Sequence, residues 1–295
     1  MGMGLGMASA IFIDLRMAHM IIAAAFLLIA FFIPDFAGSV VFKQDVPLEV
    51  QVTKNSSATS EILGTFSNPV ISYPLVKEQV STDALVLIST AVPIPLILIS
   101  TLISFFCVPC KTPKIQHGDE PDRGKSEVSS DYPPCTKSPA FYFGIRFMDG
   151  ISGLLESVAI TLFVTETLKL AVGQPRPDYK EMHIEDPLDS ISSFPSGHSS
   201  VAFASFTYAS LVMWHSLGAP LMKMPNMHVL ILPLVLVCTA PLCISTWIAV
   251  TRVQDYHHRT VDILAGSIIG MTSSVMIFSI HKLVPQRTLT DKSAE

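Results

Sequence analysis

Charge disappears from this chain in long blocks, and the blocks predict its architecture. No Asp, Glu, Lys or Arg stands between Asp83 and Lys111, nor between Lys223 and Arg252. A bilayer core of ~30 Å is crossed by about 20 largely apolar helical residues. Runs of that kind predict spans at 17–33, 84–108, 151–172, 198–217, 227–250 and 261–280. The third holds Glu156, Glu166 and Lys169, and carboxylates at such depth are expected to face the bundle interior. Only helices or closed barrels satisfy their backbones in lipid. The predicted fold class is therefore all-α, a polytopic membrane protein with a six-transmembrane-helix bundle in a single domain. The first run lacks a clear A-x-A cleavage site and five more follow it, so it reads as an uncleaved span. Pro225, Pro233 and Pro241 predict kinks around the fifth span. Gly266 and Gly270 form a G-x-x-x-G in the sixth, expected to serve close packing within the chain.

The polar segments add orientation. With the N-terminus inside, eleven of the 19 Lys and Arg fall on inner segments, against eight outside. Three of those eight, Lys169, Arg176 and Arg252, have a chemical reason to be there, so cytosolic N- and C-termini are expected. The sequon Asn55-Ser56-Ser57 then lies in the first outer loop, which makes Asn55 a glycosylation candidate. Residues 111–138, rich in Pro, Ser and Asp, read as a mobile cytosolic loop without its own core.

Composition narrows the class further. Charged residues are 15% of the chain and apolar ones 49%, against ~25% charged in ordinary globular domains. A net charge of −5 without a basic tract excludes a nucleic-acid footprint. Cys107 and Cys110 form a C-x-x-C with no second pair or suitably spaced histidines, and Cys135 is isolated, so packing or acylation is expected before metal. The opening MGMGLG places Gly6 where myristoylation wants Ser or Thr.

The predicted topology brings three polar clusters to one outer face: KLAVGQPRP (169–177), SFPSGHSSVAF (193–203) and TRVQDYHHRTVD (251–262). They supply Lys169, Arg176 and Arg252, His198 and His258, and Asp262. Three cations suit a phosphate group, arginine bidentately. Ser196 and Gly197 precede a helix, where open backbone N–H groups favour an anion. Asp262 is one helical turn from His258, roughly 40° around, but roughly 140° from His257. Only His258 is thus placed to pass a ring N–H to Asp262, leaving its other nitrogen to attack. His198 is the remaining acid and base for the leaving oxygen and for water. The path is attack by His258, a phosphohistidine, then hydrolysis to inorganic phosphate. No carboxylate cluster offers a Mg²⁺ cage, so no metal and no cofactor are expected. His257, His183 and His19 read as polar helix-end residues, Arg259 as an interfacial one, and Glu166 as a partner for Lys169 one turn on.

K-x6-R-P at 169–177, P-S-G-H at 195–198 and R-x5-H-x3-D at 252–262 resemble the signature of the type 2 phosphatidic acid phosphatase superfamily, in the same order and between corresponding spans. ISYPLVKEQVST (71–82) is similar to the stretch before the second span of eukaryotic lipid phosphate phosphatases. The resemblance covers roughly 70–280. It implies Mg²⁺-independent removal of phosphate from phosphatidate, lysophosphatidate, diacylglycerol pyrophosphate or sphingoid phosphates, at a site facing the lumen or exterior. Thr251 departs from the usual Ser, and Gln174 stands where relatives often carry a basic residue.

Two alternatives stay open at this level. One is a phosphatase for a polyprenyl diphosphate or sugar phosphate; the other is a non-catalytic membrane interaction protein that kept the fold. The expected partners are a membrane lipid phosphate and the bilayer, in a plasma membrane or endomembrane. A homo-oligomer is left open.

Overall fold

The computed structural model describes residues 18–30, 32, 49–56, 59–107, 139–222 and 228–283. The 111–138 loop, Cys110, Cys135, Gly2 and Gly6 lie outside the described residues. Helix α1 is Ala18–Ala30. Strands β1 (Glu49–Ser56) and β2 (Thr59–Ser67) follow, and then α2 (Thr82–Ala91), α3 (Pro93–Cys107), α4 (Pro139–Val172), α5 (Tyr179–Glu185), α6 (Gly197–Met213), α7 (Ala219–Met222), α8 (Ile231–Thr239), α9 (Pro241–Gln254) and α10 (Thr260–Leu283).

Four stretches are long and apolar enough to cross a membrane: Thr82–Phe106, Phe143–Val172, Ile231–Gln254 and Thr260–Lys282. The chain is a helical, multi-pass membrane protein. Proline breaks two of these spans. Pro93 opens α3 directly after α2, and Pro241 opens α9 after α8, because a proline ring cannot continue the preceding helix but suits a first turn. Two expected boundaries move. The fifth span's helix continues to Gln254 and so carries Thr251 and Arg252 in its last turns. Helix α4 begins at Pro139, a dozen residues ahead of the predicted span.

The predicted fourth span behaves differently. Helix α6 has 17 residues, and a π-helical turn (Trp214–Gly218) joins it to α7. At that length it is not among the four long apolar stretches, and its packing sets it apart as well. It touches α2, α3, α4, α8, α9 and α10 and is buried along nearly its whole length, Ser199, Ser200, Ser205, Thr207 and Ser210 included. A helix sheathed by protein presents little to lipid, and small or hydroxyl side chains let neighbours approach. Thr165 donates to Ser200 Oγ at 3.0 Å, and Ser274 Oγ to the Ala204 carbonyl at 2.7 Å. A Cβ on Gly266 would stand 2.5 Å from the Ser196 carbonyl oxygen, and one on Gly270 2.2 Å from that of Ser200. The G-x-x-x-G therefore presses α10 onto the α6 backbone inside the chain. Two apolar clusters fill the remaining space, one around Val201, Phe206 and Ile248, the other around Ile97, Leu154 and Ile277.

The segment between α1 and α2 adds a strand pair to the helical bundle. β1 and β2 form an antiparallel hairpin, with Glu49 opposite Ser67 and Asn55 opposite Ser60. Alternation in Glu49-Val50-Gln51-Val52 and the β-branched Thr53 favour strand, and the sequon falls near the hairpin tip.

Candidate active site

α4 and α9 end where α6 and α10 begin, and all three polar clusters meet there. Helix α6 starts at Ser196, whose Oγ accepts from the Ser199 N–H, a capping bond. The Ser196 N–H donates to the Asp262 carbonyl at 3.0 Å, which ties the first turns of α6 and α10 together. That corrects the expectation for Ser196. Its N–H and hydroxyl are engaged in structure, and the N–H groups of Gly197 and His198 are the first-turn donors without an intrahelical acceptor. Lys169 reaches over this turn, its Nζ 3.3 Å from where a Gly197 Cβ would lie.

His258 is 4% exposed. Its Nδ1 lies 2.8 Å from the Ser193 carbonyl, a geometry in which Nδ1 carries the proton and Nε2 keeps its lone pair. Asp262 Oδ2 is 4.0 Å from Nδ1, beyond a hydrogen bond, so the expected direct bond is not made. That carboxylate instead accepts from Ser193 Oγ at 2.6 Å and from the Arg259 N–H at 2.9 Å. Asp262 thus reaches His258 only through Ser193, at one remove. His258 lies just ahead of α10 rather than on it, so the helical spacing does not apply as expected, and Ser193 comes between the two residues. Burial holds the His258 pKa well below the ordinary imidazole value, with Arg176 and Lys169 adding to the effect and the Ser193 carbonyl opposing it.

His258 Nε2 stands 3.4 Å from Arg176 Nη1. The charges of Arg252, Lys169 and Arg176 all bear on His198, which in turn couples to His258. His198 Nε2 is buried and has no hydrogen-bond partner among the described residues. The site thus gathers two imidazoles and three cations.

Each cation also has a carboxylate. Lys169 Nζ is 2.9 Å from Glu166, the expected i,i+3 pair. Arg176 pairs with Asp189 at 2.5 Å and donates to the Asp189 carbonyl at 2.8 Å. Arg252, 1% exposed, pairs with Asp255 at 2.9 Å and Glu78 at 3.1 Å. A fully buried guanidinium without such partners would be costly. Sequence reasoning missed Glu78, Asp178, Asp189, Asp255 and Ser193. Asp178 directly follows the R-P pair, Ser193 opens the second motif, and Glu78 lies inside ISYPLVKEQVST.

That segment is a strap across the site. Tyr73 N–H donates to the Pro177 carbonyl, Gln79 N–H and Nε2 to Asp255, and Leu75 N–H to Glu181. His257 corrects another expectation. It is 3% exposed, with Nδ1 2.7 Å from Asp178 and Nε2 3.6 Å from Glu78. The Asp178 contact is close but poorly aligned for a hydrogen bond, and it sets His257 between strap and loop. Tyr256, just before it, takes φ of 60°, strained for a residue with a Cβ. This turn lets adjacent imidazoles point to different partners.

Comparison with known proteins agrees with the motifs. A PA-phosphatase related-family protein of Dictyostelium discoideum is 37% identical over 134 residues, 44% of this chain and 47% of that protein. Probable diacylglycerol pyrophosphate phosphatase 1 of Schizosaccharomyces pombe is 30% identical over 156 residues, 45% and 54% of the two chains. Lipid phosphate phosphatase 2 of Arabidopsis thaliana is 32% identical over 148 residues, 43% and 49%. The chain thus spans about half the length of these curated relatives. No solved structure matches it. The model of the PAP2 superfamily matches residues 150–285, a span that takes in Lys169, Arg176, His198, Arg252 and His258. Over this part the chain is similar to PAP2 superfamily domains.

Proposed function

We infer that the protein is a lipid phosphate phosphatase that works without Mg²⁺ through a phosphohistidine on His258. The observation that carries the reading is the state of that ring, with its Nδ1 proton fixed on the Ser193 carbonyl and its Nε2 beside the guanidinium of Arg176. Nε2 forms a bond to phosphorus as the P–O bond of the ester breaks, and the leaving oxygen takes a proton from His198. Water then attacks phosphorus, gives its proton to His198 and releases inorganic phosphate as the N–P bond breaks. Lys169, Arg176, Arg252 and the N–H groups of Gly197 and His198 hold the equatorial oxygens. Asp262 and Ser193 position the nucleophile.

The names of the relatives support a lipid phosphate as substrate, and we take the class to be phosphatidate, lysophosphatidate, diacylglycerol pyrophosphate or sphingoid phosphates. We place the site on the luminal or extracellular side of a six-span bundle. Helix α1 and α6 with its extension complete the four long spans, and both termini are cytosolic. Asn55, near the hairpin tip, would then be open to glycosylation.

The test is phosphate release from a panel of lipid phosphates by the purified full chain in EDTA, with His258→Ala alongside. The reading expects release in EDTA and none from the variant. Restoration of a chelated enzyme by Mg²⁺, or turnover that survives the loss of His258, would overturn it.

A further inference from the structure

A second group of chemically able side chains sits at the other end of the bundle, away from the phosphate site. His281 follows Asp262 by 19 positions on α10, about 28 Å along a helix at 1.5 Å per residue. There His19 of α1, Glu156 of α4 and His281 of α10 converge, with a donor atom from each within 4.8 Å of the others. His19 Nδ1 is 3.2 Å and His281 Nε2 3.0 Å from the same carboxylate oxygen, Glu156 Oε2. The mechanism above uses none of the three.

We propose that His19, Glu156 and His281 form a binding site for a divalent cation of borderline softness, zinc(II) first, that ties α1 to α4 and α10. Three observations carry it. The donor set is two imidazole nitrogens and one carboxylate, the mixture that suits zinc rather than magnesium or calcium. The far nitrogen of His281, Nδ1, lies 3.3 Å from Asp149 Oδ1, close but short of the alignment of a hydrogen bond, so the carboxylate stands behind the ring without yet being bonded to it. A carboxylate behind a ligating imidazole fixes the tautomer and directs the other nitrogen at the metal. Finally, Glu156 is 7% exposed, and its second oxygen, Oε1, is buried with no hydrogen-bond partner among the described residues. Two imidazoles crowd onto one oxygen and leave the other unsatisfied. A cation between the three donors would use the carboxylate fully and screen its charge in a low-dielectric bundle. His19, with a quarter of its side chain exposed, supplies the route of entry.

The competing account is an ion pair in which protonated imidazoles share Glu156, with no metal. The two separate by direct measurement of metal on the intact protein. The full chain, purified in detergent, is stripped with a chelator, dialysed against zinc chloride and then against metal-free buffer. Its metal content and thermal midpoint are then read. The proposal expects about one zinc per chain and a midpoint that rises with zinc but not with Mg²⁺. His19→Ala, at the open rim where misfolding is least expected, should weaken zinc retention by tenfold or more. Glu156→Gln and His281→Ala should abolish it. Asp149→Asn, which removes only the group behind the ligand, should cost on the order of tenfold. His258→Ala should retain zinc like the wild type. A folded wild-type chain that holds no zinc, or one whose zinc is retained equally by His19→Ala and Glu156→Gln, would overturn the proposal and leave the ion pair. The readout is metal and stability rather than turnover, so its failure leaves the phosphatase reading intact, and the reverse also holds.

Discussion

The two ends of the bundle both gather histidines and carboxylates, yet they are built from the chain in opposite ways. At the phosphate end each contributor lies in a short polar segment where a helix starts or stops, so chemistry and position are written side by side. At the opposite end, His19 and Glu156 are 137 residues apart, and Glu156 and His281 125. His19 and His281 stand near the ends of α1 and α10 and Glu156 inside α4, none of them near the others in sequence. Only packing of α1 and α10 on α4 creates that cluster. Loop-borne sites can be read as motifs; sites on the faces of three helices need the fold.

The sharpest way to break this contrast is to remove one histidine from each end. His258→Ala should lower turnover by roughly a thousandfold or more with the fold intact. His281→Ala should leave turnover within about tenfold while thermal stability falls. Equal losses of activity would mean that the ends are one functional unit. Next in size is Arg176. It touches His258 and is held by Asp189, so Arg176→Ala should cost roughly a hundredfold or more in kcat/KM. Arg176→Lys should recover only part, because a lysine cannot hold Asp189, the loop carbonyls and a phosphate oxygen together.

Smaller effects probe the indirect orientation of the nucleophile. Asp262 acts through Ser193, so Asp262→Asn and Ser193→Ala should each lower kcat by about tenfold, with KM little moved. The double variant should be little worse than either, a coupling that a mutant cycle measures. If Asp262 bonded the ring directly, Asp262→Asn would far exceed Ser193→Ala. The smallest effect is on pH. With its folded pKa depressed, His258 keeps a neutral, nucleophilic Nε2 as pH falls through the usual imidazole range and loses it only below. The acid limb of kcat/KM should therefore not be centred near pH 6.5. A limb centred there, absent in a variant at His198, would assign that titration to His198 instead.

Much of the fold was legible where charge is missing. Charge-free runs located α2–α3 and α8–α9, and Pro241 marked the break in the second, while the break at Pro93 was not read. The boundary of α4 was not legible, because its first turns precede the apolar run. The buried character of α6 was hidden as well, since its serines and threonines look like those of an ordinary polar stretch. The hairpin was missed because a loop between spans carries no membrane signal. Of the site, spacing paired Lys169 with Glu166. It could not foresee Ser193 between His258 and Asp262, or that each cation would arrive with a carboxylate. Those contacts belong to loops, whose path no periodicity describes.

The seam between α6 and α10 has a consequence of its own. His198 rides on the first turn of one helix, and His258 just ahead of the other. Gly266 and Gly270 let the two backbones meet, and the Ser196–Asp262 bond pins them at the top. The gap between His198 and His258 is therefore tied to the thickness of a glycine seam that begins at the Ser196 carbonyl, like a calliper adjusted at its hinge. Changing that seam by one methyl group, as in Gly266→Ala, would retune the distance between the two histidines without altering a single group that meets the phosphate.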